Sequence, residues 1–204
     1  GGLKFVDITI ESGIKIENSW SNGVNFEDVN LDGFLDIYVT KVSPISSNKS
    51  HNLLYINNGD LTFTEMSSEF GLDFSGFSTQ ATFFDYDRDG DLDMYLLNHA
   101  IHTVRSYGTS EKRIESDALS GDKFYENRLN EIEGKFIDVT KKANIYDSPL
   151  GYGLAITTTD INDDGWMDIY IGNDFHENDY IFINNKDKTF AESVKKTLSH
   201  STHF

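Results

Sequence analysis

At 204 residues the chain is long enough for one sizeable all-β domain, and 34 acidic against 17 basic residues give it a formal net charge of −17. That balance argues against a nucleic-acid backbone as partner, where a basic footprint is expected. The lack of cysteine removes disulfides, thiol catalysis and zinc–thiolate sites, and no apolar run approaches membrane-spanning length, so no membrane insertion is expected.

Gly1-Gly2 runs straight into a strand pattern, so any targeting segment is expected to be removed or to lie outside this sequence. Leu3 to Ile10 reads as a lone outer strand. Within it Phe5-Val6-Asp7 is followed by Thr9 and Gly13. The same pattern returns at Phe63-Thr64-Glu65 with Ser67 and Gly71, and at Phe136-Ile137-Asp138 with Thr140 and Asn144. It predicts a short strand, a hydroxyl N-cap, one helical turn and a left-handed stop residue. A fourth copy, Phe190-Ala191-Glu192, has Val194 and Leu198 in those places and decays.

The next element is an acidic nonapeptide, Asp28 to Asp36, which recurs at Asp85 to Asp93 and at Asp160 to Asp168. Acidic or amide side chains stand at its first, third, fifth and ninth positions, and Gly at the sixth. Side chains one, three and five of a tight loop converge on one cation, and Gly supplies the positive φ that folds the loop around it. Position seven (Phe34, Asp91, Trp166) offers a backbone carbonyl, and the ninth Asp can close the shell with both oxygens. An all-oxygen donor set without His or Cys selects Ca²⁺. The expected ligands are therefore Asp28, Asn30, Asp32, Phe34 and Asp36; Asp85, Asp87, Asp89, Asp91 and Asp93; and Asp160, Asn162, Asp164, Trp166 and Asp168, for about three calcium ions.

An EF-hand would need Glu at position 12 and helices on both sides. Val39, Leu96 and Ile171 stand there, inside strand-like runs such as Asp36-Ile37-Tyr38-Val39. A single Asp-Gly-rich loop reads equally well as a plain turn; three copies at one spacing carry the metal reading. Because the second loop has four carboxylates where the others have three plus Asn, it is expected to bind tightest.

A third strand follows each loop pair at Leu53 to Ile56, Lys123 to Glu126 and Tyr180 to Ile183. Each leads through an Asn-rich turn into the Phe-x-Asp/Glu strand. Four short antiparallel strands per repeat, three times over, predict an all-β β-propeller of four-stranded blades. The expected partition is an outer strand of a neighbouring blade over 1–14, blades over 15–72, 73–146 and 147–200, and the start of another at 201–204. Since propellers close with about four to eight blades, the remaining blades of the same protein are expected partners. The connection between the second and third strands varies most, and Asn98 to Asp122 is its chief insertion.

The repeated Asp-x-Asp/Asn-x-Asp-Gly-x-x-Asp loop between strands resembles the FG-GAP/VCBS repeat family of integrin α-subunit propellers. Asn173 to Tyr180 and Leu97 to His102 are similar to the narrower ASPIC/UnbV, cartilage acidic protein-like branch. The resemblance implies a seven-bladed propeller, secreted, periplasmic or on the cell surface, with calcium in the first loops. A literal Phe-Gly…Gly-Ala-Pro signature is missing.

In an up-and-down blade the calcium loops share one face and the variable connections the other. All six histidines map to the second face, His51, His99, His102 and His176 in connections and His200 and His203 near the end of the chain. Arg105, Tyr107, Asp174 and Glu177 accompany them. One reading is solvated loop residues; the other is a shared ligand or second-metal site, with His99, His102, Arg105, Asp174, His176 and Glu177 as candidates. The leading function is a calcium-binding extracellular or periplasmic module that meets a protein or glycan ligand on this face. The alternative is a carbohydrate-active enzyme, lyase- or dehydratase-like, using its histidines. An intracellular scaffold is disfavoured, because extracellular calcium modules bind at roughly 10⁻⁴ to 10⁻³ M.

Overall fold

The computed structural model describes residues 2–15, 19–42, 50–101, 115–131, 134–174 and 177–197. They form three four-stranded antiparallel sheets, each a simple meander in chain order. Sheet I contains β1 (Trp20–Glu27), β2 (Asp36–Val42), β3 (Leu53–Asn57) and β4 (Phe63–Glu65). Sheet II contains β5 (Ser78–Phe84), β6 (Asp93–Asn98), β7 (Lys123–Arg128) and β8 (Lys135–Asp138). Sheet III contains β9 (Gly153–Thr159), β10 (Asp168–Asn173), β11 (Tyr180–Asn184) and β12 (Phe190–Glu192). Each acidic loop is the hairpin between the first two strands of its sheet, pairing Glu27 with Asp36, Phe84 with Asp93 and Thr159 with Asp168. The expected strand order is therefore found in all three repeats.

The sheets pack face to face, and the period-two alternation of a strand decides which residue serves which seam. On sheet II, Phe83, Met94, Leu96 and Tyr125 join Tyr38, Leu54 and Leu72 in one buried cluster. Their neighbours Phe84, Tyr95, Leu97 and Phe124 face the other way and join Ile169, Ile171, Phe182 and Phe190. β6 is consequently buried along its whole length, which explains why its sequence is a continuous apolar run instead of an alternating one. In the second seam the Phe124 ring meets Tyr86 edge-on at 4.9 Å and Phe190 at 5.6 Å. Such aromatic pairs add about 0.5–1.5 kcal/mol beyond the area they bury. The free side of sheet I is different: Trp20, Val24 and Phe26 of β1 are exposed.

Two expectations are corrected. Leu3 to Ile10, expected as the lone outer strand, makes no ladder with any of the three sheets, and Leu3, Phe5 and Val6 are almost fully exposed. A strand exists only through hydrogen bonds to a neighbour, and none of the three sheets pairs with this segment. The following turn over 8–13 nevertheless docks on sheet I, where the Phe63 N–H donates to the Ser12 carbonyl at 2.8 Å. The Phe190 N–H donates in the same way to the Ala143 carbonyl at 2.9 Å.

The second correction concerns the helical turns after the fourth strands. Ser67 lies inside α1 (Ser67–Phe70), whose N-cap position is Met66 and carries no side-chain cap. The acceptor is the acidic residue two positions earlier. Asp7 accepts the Thr9 N–H, Glu65 the Ser67 N–H, Asp138 the Thr140 N–H and Glu192 the Val194 N–H, all at 2.7–2.9 Å. A carboxylate reaching an orphan N–H needs no hydroxyl at the next place. The fourth copy, expected to decay, therefore still forms α2 (Val194–Thr197).

Candidate metal centre

The three loops share one backbone. Gly33, Gly90 and Gly165 have φ of 91°, 96° and 84°, as the sixth position requires. Position four is left-handed too, at Leu31, Arg88 and Asp163, a feature no residue preference announces. The first Asp holds the turn: Asp28 accepts the N–H groups of Asp32 (3.0 Å) and Gly33 (2.8 Å). Asp160 accepts those of Asp164 (3.0 Å) and Gly165 (2.6 Å). Asp85 accepts those of Arg88 (2.6 Å) and Gly90 (3.2 Å). Position five binds the N–H of position seven in each loop, from Asp32, Asp89 and Asp164 to Phe34, Asp91 and Trp166.

Chemistry separates the second loop from the others. In the first and third, the amide of Asn30 or Asn162 donates to the Asp32 or Asp164 carboxylate at 2.9 and 3.0 Å, so the loop is closed by its own side chains. Asp87 has no amide N–H to make that bond. Asp85, Asp87 and Asp89 instead bring one carboxylate oxygen each within 4.8 Å of one another. Beside them, burial pushes the Asp91 carboxyl up to about 7, helped by the charge of Asp89. Its Oδ1 is buried with no hydrogen-bond partner. Converging carboxylate oxygens beside an orphaned buried oxygen are a donor set of the kind a hard cation takes.

The ninth Asp does something the spacing did not reveal. Asp36, Asp93 and Asp168 are buried, and both oxygens of each accept a backbone N–H. One comes from the second loop residue: Val29 (3.1 Å), Tyr86 (3.3 Å) or Ile161 (2.9 Å). The other comes from the end of the third strand: Asn57 (2.8 Å), Asn127 (2.9 Å) or Asn184 (2.8 Å). Burial raises the Asp36 carboxyl and pushes Asp93 up to about 8, against the pull of those N–H groups. The ninth Asp is thus the joint between loop and sheet, leaving one lone pair per oxygen for any ion.

In the sequence the same three asparagines stand only as turn residues. Each Nδ2 donates back to the carbonyl before the ninth Asp, at Leu35, Leu92 or Met167. In two of them it also crosses to the preceding sheet: Asn127 to the Val29 carbonyl at 3.4 Å and Asn184 to the Tyr86 carbonyl at 2.8 Å. Their signal in the sequence was recurrence, an Asn closing every third strand. A second joint lies at the other end of the second strand. The Tyr95 hydroxyl donates to Asp122 at 2.8 Å, and Tyr170 donates to Asp179 at 2.6 Å. In sheet I, Asn52 takes that place and donates to Tyr38 at 3.1 Å. Burial pushes the Asp122 carboxyl up to about 7, although the Asn98 N–H and the Tyr95 hydroxyl hold it down.

On the face away from the loops, the structure brings together His99, Asp174 and Glu177 around Tyr152, a residue outside the candidate set. The His99 ring lies edge-on to Tyr152 at 5.5 Å, with its Nδ1 2.8 Å from the Ala100 carbonyl. The Asp174 N–H donates to the Tyr152 carbonyl at 3.0 Å. The Tyr152 hydroxyl is raised by burial and then by the charge of Glu177. His102, Arg105, Tyr107, His176, His200 and His203 lie outside the described residues, as does the segment 201–204.

Residues 28–96 match the FG-GAP-like repeat family. The matched FG-GAP-like stretch runs from the first Asp of loop one, through the whole second loop, to Leu96 of β6. Comparison with curated proteins found no match.

Proposed function

We propose that the chain is the calcium-binding part of an FG-GAP-type β-propeller, with structural Ca²⁺ in the three first loops and a binding surface on the opposite face. The observation that carries the reading is the second loop, where oxygens of Asp85, Asp87 and Asp89 converge within 4.8 Å beside the orphaned oxygen of Asp91. The ion would be held there by these residues with Asp93. In the other loops it would be held by Asp28, Asn30, Asp32, Asp36 and the Phe34 carbonyl, and by Asp160, Asn162, Asp164, Asp168 and the Trp166 carbonyl. A divalent ion offsets the repulsion of clustered carboxylates, and a site at 100 times its Kd stabilises the fold by about 2.7 kcal/mol. Seven blades, supplied in part by other segments of the same protein, complete the proposed ring.

An extracellular, periplasmic or cell-surface location follows from the same reading, since calcium there reaches the concentrations such modules use. Among the described residues no helix is long and apolar enough to cross a membrane. The proposed partner is a protein or glycan meeting the face that carries His99, Asp174, Glu177 and Tyr152, with adhesion as the natural role. Calorimetric titration of EDTA-stripped protein with Ca²⁺ tests the metal: saturable binding with a rise in Tm is expected, and no heat with an unchanged Tm ends the proposal. A protein and glycan screen with and without EDTA tests the face.

A further inference from the structure

Among the described residues, the second loop is met by a cation from another sheet. Lys188, in the turn between β11 and β12 of sheet III, places its Nζ 2.6 Å from Asp87 Oδ2. The same Nζ is 2.7 Å from Glu126 Oε1 on β7. Glu126 is in turn held by Arg128 at 2.6 Å. The two acids are nearly sealed from water, with 2% and 5% of their side chains exposed, while Lys188 keeps 44%. One ammonium thus bridges two nearly sealed carboxylates from sheet II. The left-handed backbone at Lys188, with φ of 66°, is matched at Leu61 in sheet I, which is exposed and carries no charge. The third loop meets Lys186 of its own sheet at 3.2 Å, in a pair far more open to water.

We infer that Lys188 is the resident counter-ion of the second loop and competes with a divalent cation for Asp87. The inference rests on the calcium reading of that loop and deepens it. Asp87 already receives the Asp89 N–H on Oδ1 at 3.2 Å and the ammonium on Oδ2, so a metal ion reaches it only by sharing a carboxylate with a fixed positive charge. Like charges a few ångströms apart repel even through a high effective dielectric. Counting carboxylates ranks this loop tightest; counting Lys188 with them removes that advantage. Metal uptake in sheet II then also loosens the ion pair that pins the Lys188 turn of sheet III across the seam.

The test is Lys188→Met, which keeps the apolar stem, with Lys188→Arg as the charge-preserving control. Calcium titration by calorimetry and thermal melts in EDTA and in saturating calcium are run on all three chains. For K188M one calcium constant is expected to tighten about tenfold, the size of a partly exposed single-charge effect on a divalent ion. Its Tm should fall in EDTA, and the deficit should shrink in calcium; K188R should behave as wild type. A wild-type protein that binds calcium while K188M binds it with unchanged or weaker constants overturns this inference alone. A wild-type protein that binds none overturns the calcium reading and this inference with it.

Discussion

Replacing Asn184 by Ala isolates the contact that joins one repeat to the previous one. Its side chain is 3% exposed. It donates to the Tyr86 carbonyl across the seam at 2.8 Å and to Met167 at 3.3 Å, and it accepts the Lys186 N–H at 2.8 Å. Each such bond contributes about 1 kcal/mol net, and a buried group left without its partner costs about 1–3 kcal/mol. The sum is a loss of about 3 kcal/mol. Asn57 is the internal reference. It makes the same local bonds, to Leu35 at 3.0 Å and from Gly59 at 2.9 Å, but it is only half-buried, both bonds are open to water, and among the described residues it makes no crossing bond. Water replaces its partners, so Asn57→Ala should cost about 1 kcal/mol. Urea denaturation of both variants in calcium buffer, at equal m-value, measures the difference. Equal losses, or a greater loss for Asn57, would refute the role assigned to the crossing bond.

Asp168→Ala leaves the Ile161 and Asn184 N–H groups without acceptors in a fully buried place, and should cost about 3 kcal/mol even in EDTA. A loss seen only with calcium present would make Asp168 a metal ligand and nothing more. Gly71→Ala should cost about 1–3 kcal/mol in the same denaturation assay. Its φ is 74°, and an added Cβ would lie 2.9 Å from the Phe136 carbonyl oxygen; an unchanged midpoint would show that the turn shifts freely. Asp122 sets a pH dependence. Its carboxyl is raised from 3.8 to about 7 in the fold, so the neutral form is favoured there. The stability it adds is complete below pH about 4 and is lost as pH rises through 7. Asp122→Asn should remove that decline, flattening the stability difference between pH 5.5 and 8 relative to wild type; parallel profiles would contradict it.

Much of the architecture was readable because repetition multiplies weak local signals. Asp, Gly and Asp at one spacing before an apolar residue and Tyr, three times over, located every first hairpin and the strands on both sides. The seams were less visible, since Met94 and Tyr95 look alike in a run of apolar residues and only the pleat sends them to opposite sheets. Leu3 to Ile10 misled for a related reason. Its composition suits a strand, but strand formation depends on a partner that no residue in the segment encodes.

Local chemistry by itself determined the ligand-type side chains, their spacing and the turn glycines, because a tight loop is specified by residues adjacent in the chain. Tertiary structure alone decided that the ninth aspartate is a joint between loop and third strand. It also decided that Asn184 reaches back to Tyr86, and that Lys188 sits on Asp87 from the next sheet. The first joins residues 16 positions apart within one sheet, whereas the Asn184–Tyr86 and Lys188–Asp87 contacts cross between sheets and join residues about 100 positions apart. Their existence depends on how sheets stack, which is set by the burial of Phe124, Phe182 and their neighbours in the seam and not by any motif along the chain.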